Sequence, residues 1–576
     1  MSESMDRATI RLRLLPALVI AALEILLFFA FREFGATVIL SAVGNAGVPV
    51  IAALVFAIWW TAWSGVPWRD RLVGLALFLA GVMAVVFSQE TPYNGLALLG
   101  TTLLFFVPGV ALLLLLTTSL AWPARRSVTA LFLLACFACF AMMKVDYVGE
   151  NFTVYTSWRW QTHAKGGVTA GSVSGTATLP AQVGPGDWPA FRGAARDGVA
   201  AGVKTSGNWS TPLKEVWRRP VGAGHSSMTV VGQVLFTQEQ SGDDELVTCY
   251  SALTGEPIWV NSIAYHHNDV QGGEGPRATP AYANGKVYAQ SAGPLLQCLD
   301  AATGKQLWKQ ELTTKENPNP PNWGFSSSPL VVNDLVIQHT NGAGRRDLVA
   351  FNAATGEEVW SALKNSTSYS SPQLAIVDGQ EQVLMLDNAG LHALDPVSGN
   401  TLWMFEHPKD MLDRCVQPVP AGDGGFMLGM ADSGSRMVRV QKSDGGWNTQ
   451  PVWENKKHDP YFYDNVYHKG FFYGFHGNRL SCLDAATGET KWAGTRYGGQ
   501  LILLPEMDTL IVLSDEGKLA MVKADSAAFT ELASFEAIHG KTWNHLAIAH
   551  GKLYVRNSEE MVCYELPGAT QEALPK

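Results

Sequence analysis

The sequence predicts an all-β, eight-bladed propeller of four-stranded blades, preceded by an α-helical domain of five membrane-spanning segments. Three observations carry this expectation. A unit recurs about every 45 residues through the last two thirds of the chain, each time as a small residue, an apolar residue, Asp, Thr-Gly and Trp. The first 145 positions are almost continuously apolar, whereas the rest has ordinary soluble composition. The two ends of the repeat region also complement each other. The last segment, Trp543 to Leu566, holds three strand-like runs without a closing Trp strand, and Lys214-Glu215-Val216-Trp217 at the front supplies one.

Taken in chain order, five apolar segments are long enough to span about 30 Å of hydrocarbon at 1.5 Å per residue: roughly 13–31, 38–63, 71–88, 94–120 and 127–144. Arg7, Arg11 and Arg13 precede the first span, Arg69 and Arg71 lie between the second and third, and Arg125 and Arg126 between the fourth and fifth. Arg32 and Lys144 stand at the alternate ends. The positive-inside rule therefore expects a cytoplasmic N-terminus and everything beyond about residue 145 outside, on the periplasmic side of a bacterial inner membrane. No small-residue cleavage site follows the first span, so it reads as an anchor rather than a signal peptide. Glu24 within that span marks either a path for a proton or substrate, or a hydrogen bond between helices.

Residues 146–186, rich in Gly, Thr, Ser, Ala and Val, read as a linker, residues 187–567 as the propeller and 568–576 as a tail. Outer-strand tryptophans mark the repeats at Trp259, Trp308, Trp360, Trp403, Trp453 and Trp492, with a Trp-less unit around Glu531-Leu532 in seventh place. Pairing the front strand with the last three makes an eighth blade and removes the open sheet edges. Cys249, Cys298, Cys482 and Cys563 occupy the position held by Ala350 and Ala393 in other copies, a tight buried slot, and lie too far apart to form disulfides. The Asp-Thr-Gly turns are turn chemistry: Asp caps, Gly supplies positive φ and Trp packs between blades.

The formal net charge of −9 gives no basic footprint for nucleic acid. Chemistry is expected where the innermost strands begin. Aligned on Pro280, Pro329, Pro372 and Pro418, these strands present a ring of Ser227, Thr279, Ser328, Ser371, Gln417, Asn465, Gln500 and His545 to the channel. Two residues earlier stand His225, Arg277, Ser326, Tyr369, Cys415, Tyr463, Gly498 and Trp543. Any water-filled channel presents hydrogen-bonding groups, but Trp323, Tyr369, Tyr463 and Trp543 can also stack on a planar ligand while Arg277 meets a carboxylate. Asn544 adjoins this set, and Asp464 and Asn465 are the best-placed oxygen donors, with Glu274 and Asp413 as outside candidates. His225, His545 and His266-His267 do not reach ligand spacing for a transition metal, so no metal site is predicted.

The repeated Leu-Asp-Ala-Ala-Thr-Gly-Lys-Gln-Leu-Trp, complete at 299–308, resembles the tryptophan-docking unit of pyrroloquinoline quinone (PQQ) repeat propellers, and the match covers roughly residues 187–567. That superfamily includes quinoprotein dehydrogenases and non-catalytic scaffold proteins. Asp187-Trp188-Pro189-Ala190-Phe191-Arg192-Gly193, Gly275-Pro276-Arg277-Ala278-Thr279-Pro280, Trp323-Gly324-Phe325-Ser326-Ser327-Ser328-Pro329 and Lys541-Thr542-Trp543-Asn544-His545 are similar to a bacterial group of PQQ-like repeat proteins. The plan is also similar to membrane-bound quinoprotein glucose dehydrogenase, but the propeller part is shorter and the chain has no adjacent Cys-Cys pair and no Cys-x-x-Cys-His haem site.

The expected function is a membrane-anchored, extracytoplasmic module that binds a small anionic ligand or a protein at its funnel, without evident catalytic machinery. The resemblance implies an alternative: a PQQ- and calcium-dependent dehydrogenase of a sugar or alcohol that reduces ubiquinone. There Arg277 would hold the quinone, Trp323 or Trp543 would stack on it and Asp464 would be base or calcium ligand.

Overall fold

The computed structural model describes residues 12–34, 43–89, 91–149, 153–160, 167–206, 212–269, 271–313, 320–341, 347–407, 414–422, 424–430 and 433–571. Arg7, Arg11 and Asp413 lie outside them. The chain divides into two compact units, Met1–Thr162 with Val270–Gly272, and His163–Asp269 with Gly273–Lys576.

In the first unit the helices are α1 (Leu14–Phe34), α2 (Val48–Ala62), α3 (Trp68–Phe87), α4 (Pro92–Leu116) and α5 (Trp122–Ala141), with a π-helical turn, Val43–Gly47, leading into α2. All five are long and apolar enough to cross a membrane, the second when counted with its π-helical turn as Val43–Ala62. Proline in the first turn of α2, α4 and α5 costs nothing, because the amide it lacks has no intrahelical acceptor there. The Thr91 hydroxyl caps α4 by accepting the Asn94 N–H at 3.2 Å. Small residues let the helices close on one another: a Cβ on Gly81 would stand 2.2 Å from the Phe137 ring. At one end of the bundle the Trp122 indole donates to Asp70 (2.6 Å), Arg126 pairs with Asp70 (3.4 Å) and Trp59 donates to the Arg13 carbonyl (3.1 Å). At the other end a hairpin, Met143–Val148 with Val154–Trp158, is held by Gln89, whose amide bonds Met143 and Val145 at 2.9 and 3.0 Å.

The second unit contains eight four-stranded antiparallel sheets, as the repeats predict. Blades 1 to 7 begin at Thr229, Ala281, Leu330, Gln373, Val419, Val466 and Gly499, and blade 8 at Ala547. Blade 8 takes its fourth strand, Lys214–Pro220, from the front of the domain, and that strand pairs with Glu560–Glu565 in the register Cys563↔Trp217. Middle strands are buried almost throughout while fourth strands alternate, because only the fourth has one face toward water.

The repeated motif is the dock between blades. The indoles of Trp217, Trp259, Trp308, Trp360, Trp453 and Trp492 each donate to a carbonyl in the turn of the following blade, at 2.8–3.2 Å. The turn glycine lies flat under that ring: a Cβ on Gly304 would stand 2.4 Å from Trp259, and φ is +71°. Trp403 departs from the pattern and donates to Gln382 Oε1 (2.6 Å) in its own blade. Blade 5, which follows it, replaces the Asp-x-x-Thr-Gly turn with a long hairpin, Gly434–Ser443 and Gly446–Asn455. The Cys/Ala position pairs directly across from the tryptophan (Cys249↔Trp259, Cys298↔Trp308, Ala350↔Trp360), so a small side chain is required there. All seven cysteines are free.

Candidate binding funnel

Of the residues expected to ring the channel, those of blades 1 to 5 are spent on holding the blades together. The Ser227 N–H donates to Thr279 Oγ1 (3.0 Å), the Thr279 N–H to Ser328 Oγ (2.9 Å) and the Ser328 N–H to Ser371 Oγ (2.9 Å). With the Gln417 amide oriented to satisfy its neighbours, its oxygen accepts the Ser371 N–H at 2.8 Å. The Gln417 N–H then donates to Asp464 Oδ1 at 2.7 Å. Each short side chain thus closes one blade on the next from blade 1 to blade 6. The series stops there. Asn465 turns over Gly474, where a Cβ would lie 1.8 Å from its oxygen, and Asn544 donates to the Gly224 and Ser226 carbonyls at 3.2 and 2.8 Å. Asn465 Oδ1, Gln500 Oε1 and Asn544 Oδ1 are buried without a hydrogen-bond partner among the described residues, so unmet polar groups collect in and beside the ring on the arc of blades 6 to 8.

Below the ring the channel is stoppered by a segment that precedes the first strand, 187–200. It bonds to Gly232 and Val230 of blade 1, Tyr282 of blade 2, Ser328 and Pro329 of blade 3, Gln373 of blade 4, Asn465 of blade 6, Leu503 of blade 7 and His550 of blade 8. Arg196 donates to the Pro329 and Ser328 carbonyls at 2.7 and 3.0 Å, and Arg192 to the Asn465 carbonyl at 2.8 Å. Both sit at positive φ, 58° and 60°. Arg192 Nε also faces Asp464 Oδ2 at 3.5 Å, His545 Nε2 lies 3.6 Å from that same oxygen, and Phe191 packs edge-on against His545 with centroids 4.7 Å apart. Burial raises the Asp464 pKa, opposed by Arg192 and the Gln417 N–H. Burial also drives His545 well below the usual histidine range, helped by Arg192, so this imidazole is neutral near pH 7.

Above the ring is a partly exposed mouth. Arg277 donates to Asp269 and, at 3.1 Å, to the Gly275 carbonyl, while His267 Nε2 stands 3.3 Å from the same Asp269 oxygen. Asp269 comes from a two-stranded ribbon between blades 1 and 2, Asn268–Asp269 with Gly273–Glu274. Lys541 Nζ lies 3.4 Å above the Trp543 ring. Burial, and next the charge of Arg277, hold the lysine well below its ordinary pKa. Trp543 also meets Phe462 and His225, at centroid distances of 5.1 and 5.5 Å, and Trp323 packs against Tyr369 at 5.1 Å. Ser326 Oγ is turned back onto the Trp323 carbonyl (3.0 Å), Tyr463 is buried against Phe475 (5.0 Å), and Glu274 is exposed.

The expected residues therefore separate into two sets. His225, Arg277, Trp323, Ser326, Tyr369 and Trp543 surround the mouth, whereas Thr279, Gln417, Asp464, Asn465, Gln500 and Asn544 are buried in or beside the ring, with His545 between them. The alignment of innermost strands did not find Arg192, Arg196, Asp269, Phe462 or Lys541 as contributors. The spacing of two arginines by four residues, each close to a glycine with positive φ (Gly193, Gly198), was the available signal for the stopper.

Residues 243–493 match the family model described as Outer membrane protein assembly factor BamB. This is a PQQ-like repeat propeller. The chain is 25% identical to a protein of that description from Shewanella oneidensis over 38% of this chain and 53% of the relative, so it spans about half of that relative's length. It is 26% identical to the dehydrogenase subunit of a quinone alcohol dehydrogenase from Gluconobacter oxydans, over 36% of this chain and 28% of that protein. Among solved structures, a quinohemoprotein alcohol dehydrogenase from Pseudomonas putida aligns at 15% identity and TM-score 0.47, covering 69% of this chain and 85% of that one.

Calcium-bound PQQ in the funnel of a PQQ-like propeller would call for oxygen ligands without a competing cation, and a carboxylate free to act as base. Here Asp464 accepts a backbone N–H and faces the Arg192 guanidinium, so a calcium ion at this carboxylate would meet a like charge a few ångströms away. One face of Trp543 is already covered by Lys541. The donor set around Asp464 does not fit calcium.

Proposed function

We propose that the protein is a membrane-anchored binding module whose PQQ-like propeller lies outside the cytoplasm and takes a ligand or protein partner at the mouth of its funnel. The observation that carries this reading is the division of labour in the funnel: the buried ring side chains of blades 2 to 5 and Asp464 are occupied in joining blades and stopper, while the mouth collects aromatic faces with Arg277 and Lys541. The PQQ and calcium alternative loses support at the residue it needs most. Orientation is supported by the helical unit, where Arg13, Arg69, Arg71, Arg125 and Arg126 belong to the end that carries the Asp70–Trp122 contact. Arg32, Lys144 and Arg159 belong to the other end.

The test is made on the full-length protein in mild detergent, supplied with PQQ and calcium and assayed for dye reduction with a panel of aldoses and alcohols. The expected result is no substrate-dependent reduction. In intact envelopes, photo-cross-linkers placed at Trp323 should give a discrete adduct that the same group at exposed Val397 does not. Turnover that depends on PQQ and calcium would replace this reading with the dehydrogenase.

A further inference from the structure

Glu24 has no role in either reading of the funnel, and its setting is unusual. It is the central residue of α1, ten residues from each end of Leu14–Phe34. At 1.5 Å per residue that is about 15 Å from either end, mid-depth in a hydrocarbon core about 30 Å thick. The side chain is 1% exposed, and neither carboxyl oxygen has a hydrogen-bond partner among the described residues. The helix-to-helix hydrogen bond offered by the sequence is therefore not the arrangement found.

Helix α1 packs against the π-helical turn, α2 and α4. None of these three elements contains Asp, Glu, Lys, Arg or His, and their one titratable side chain is Tyr93 in the first turn of α4. An ionised Glu24 would find no counter-charge on these described elements, and an uncompensated buried ion is the costliest state a carboxyl can adopt. Ala17 and Ala21 share its face of α1, and Gly44 in the π-helical turn comes so close that a Cβ there would lie 2.5 Å from Phe31 Cβ. Small residues seal this face, and the π turn is where the ladder of hydrogen bonds is already irregular.

We propose that Glu24 is a proton-binding site in the core of the helical unit. The carboxyl is held as the neutral acid with α1 packed as described, and releasing the proton requires α1 to part from α2 and α4 so that the carboxylate meets water. This rests on the membrane-anchor reading above.

The experiment uses the full-length protein in lipid vesicles, treated with hydrophobic dicyclohexylcarbodiimide or, in parallel, a water-soluble carbodiimide, followed by mass spectrometry. The acid O–H adds across one C=N bond of the reagent and the acyl group then shifts from oxygen to nitrogen, so the whole reagent stays on the residue and nothing leaves. Glu24 should react on the order of tenfold faster with the hydrophobic reagent, because only that reagent partitions to its depth. The rate should fall as pH rises, and the adduct should vanish in Glu24→Gln. Modification at equal rates by both reagents, or none by the hydrophobic one, overturns the proposal. These measurements are made on the unaltered chain and do not depend on a variant folding. Release of the chain from membranes by alkaline washing would instead sink the anchor reading; retention with Glu24 unmodified sinks the proton site alone.

Discussion

Arg192 and Asp464 place opposite charges where neither can reach bulk water, 2% and 6% exposed. Removing one partner leaves the other buried and uncompensated, so Arg192→Met should destabilise the propeller by about 3–5 kcal/mol. Adding Asp464→Asn to that variant should recover part of the loss; strict additivity in a denaturant-melt cycle would show that the two side chains are not coupled. Asp187 behaves differently. Burial works against its charge, but His550 (2.7 Å) and the N–H groups of Gly232 and Gly184 (both 2.7 Å) outweigh it and hold the carboxyl below its usual range. A depressed folded pKa gives stability that is present above the unfolded value, about 3.9, and is lost as pH falls through the folded value. Asp187→Asn should therefore unfold at a lower temperature near neutral pH and show a shallower loss below about pH 4. Identical acid profiles for the two proteins would contradict this account.

At the scale of the element, the docking of tryptophan on a turn glycine repeats around the ring and makes a quantitative demand. A methyl group at position 304 would collide with Trp259 and would also force an L-residue to positive φ. Gly304→Ala should cost about 2–4 kcal/mol, the sum of overpacking and left-handed strain. Gly379→Ala, at a similar φ of +75° but with open space around it, should cost about 1–2 kcal/mol. Equal losses would mean that the ring contact is unimportant.

This motif was legible because its parts lie within a dozen residues of each other and recur. The stopper was not, because its arginines bond to carbonyls 132 and 273 residues away, and a carbonyl has no sequence signature. The ring was expected to be polar, yet the use of its side chains was hidden: a serine that lines a channel and a serine that ties two blades look the same until the neighbouring backbone amide is located. Asp269 was missed for a similar reason, since it arrives from a ribbon between blades rather than from a strand in the aligned register.

At the scale of the whole molecule, end-to-end closure was predictable because a missing fourth strand at one end matched a surplus one at the other. It follows that deletion of 212–220 exposes a full-length edge on Glu560–Glu565 in a chain whose other seven sheets are complete. Such a protein should elute from size exclusion as concentration-dependent multimers, and a monodisperse, cooperatively melting product would refute the role of the front strand in covering that edge.

Closure also sets a schedule. Arg218 and Tyr564, hydrogen-bonded within blade 8, are 346 residues apart in the chain. At about 5–20 residues per second, the front strand leaves the ribosome roughly 20–70 s before its partner exists. For that interval every nascent chain carries an unmatched strand. A message cut short anywhere before the last blade yields a product whose ring never locks, and which stays open to proteases that the finished protein excludes.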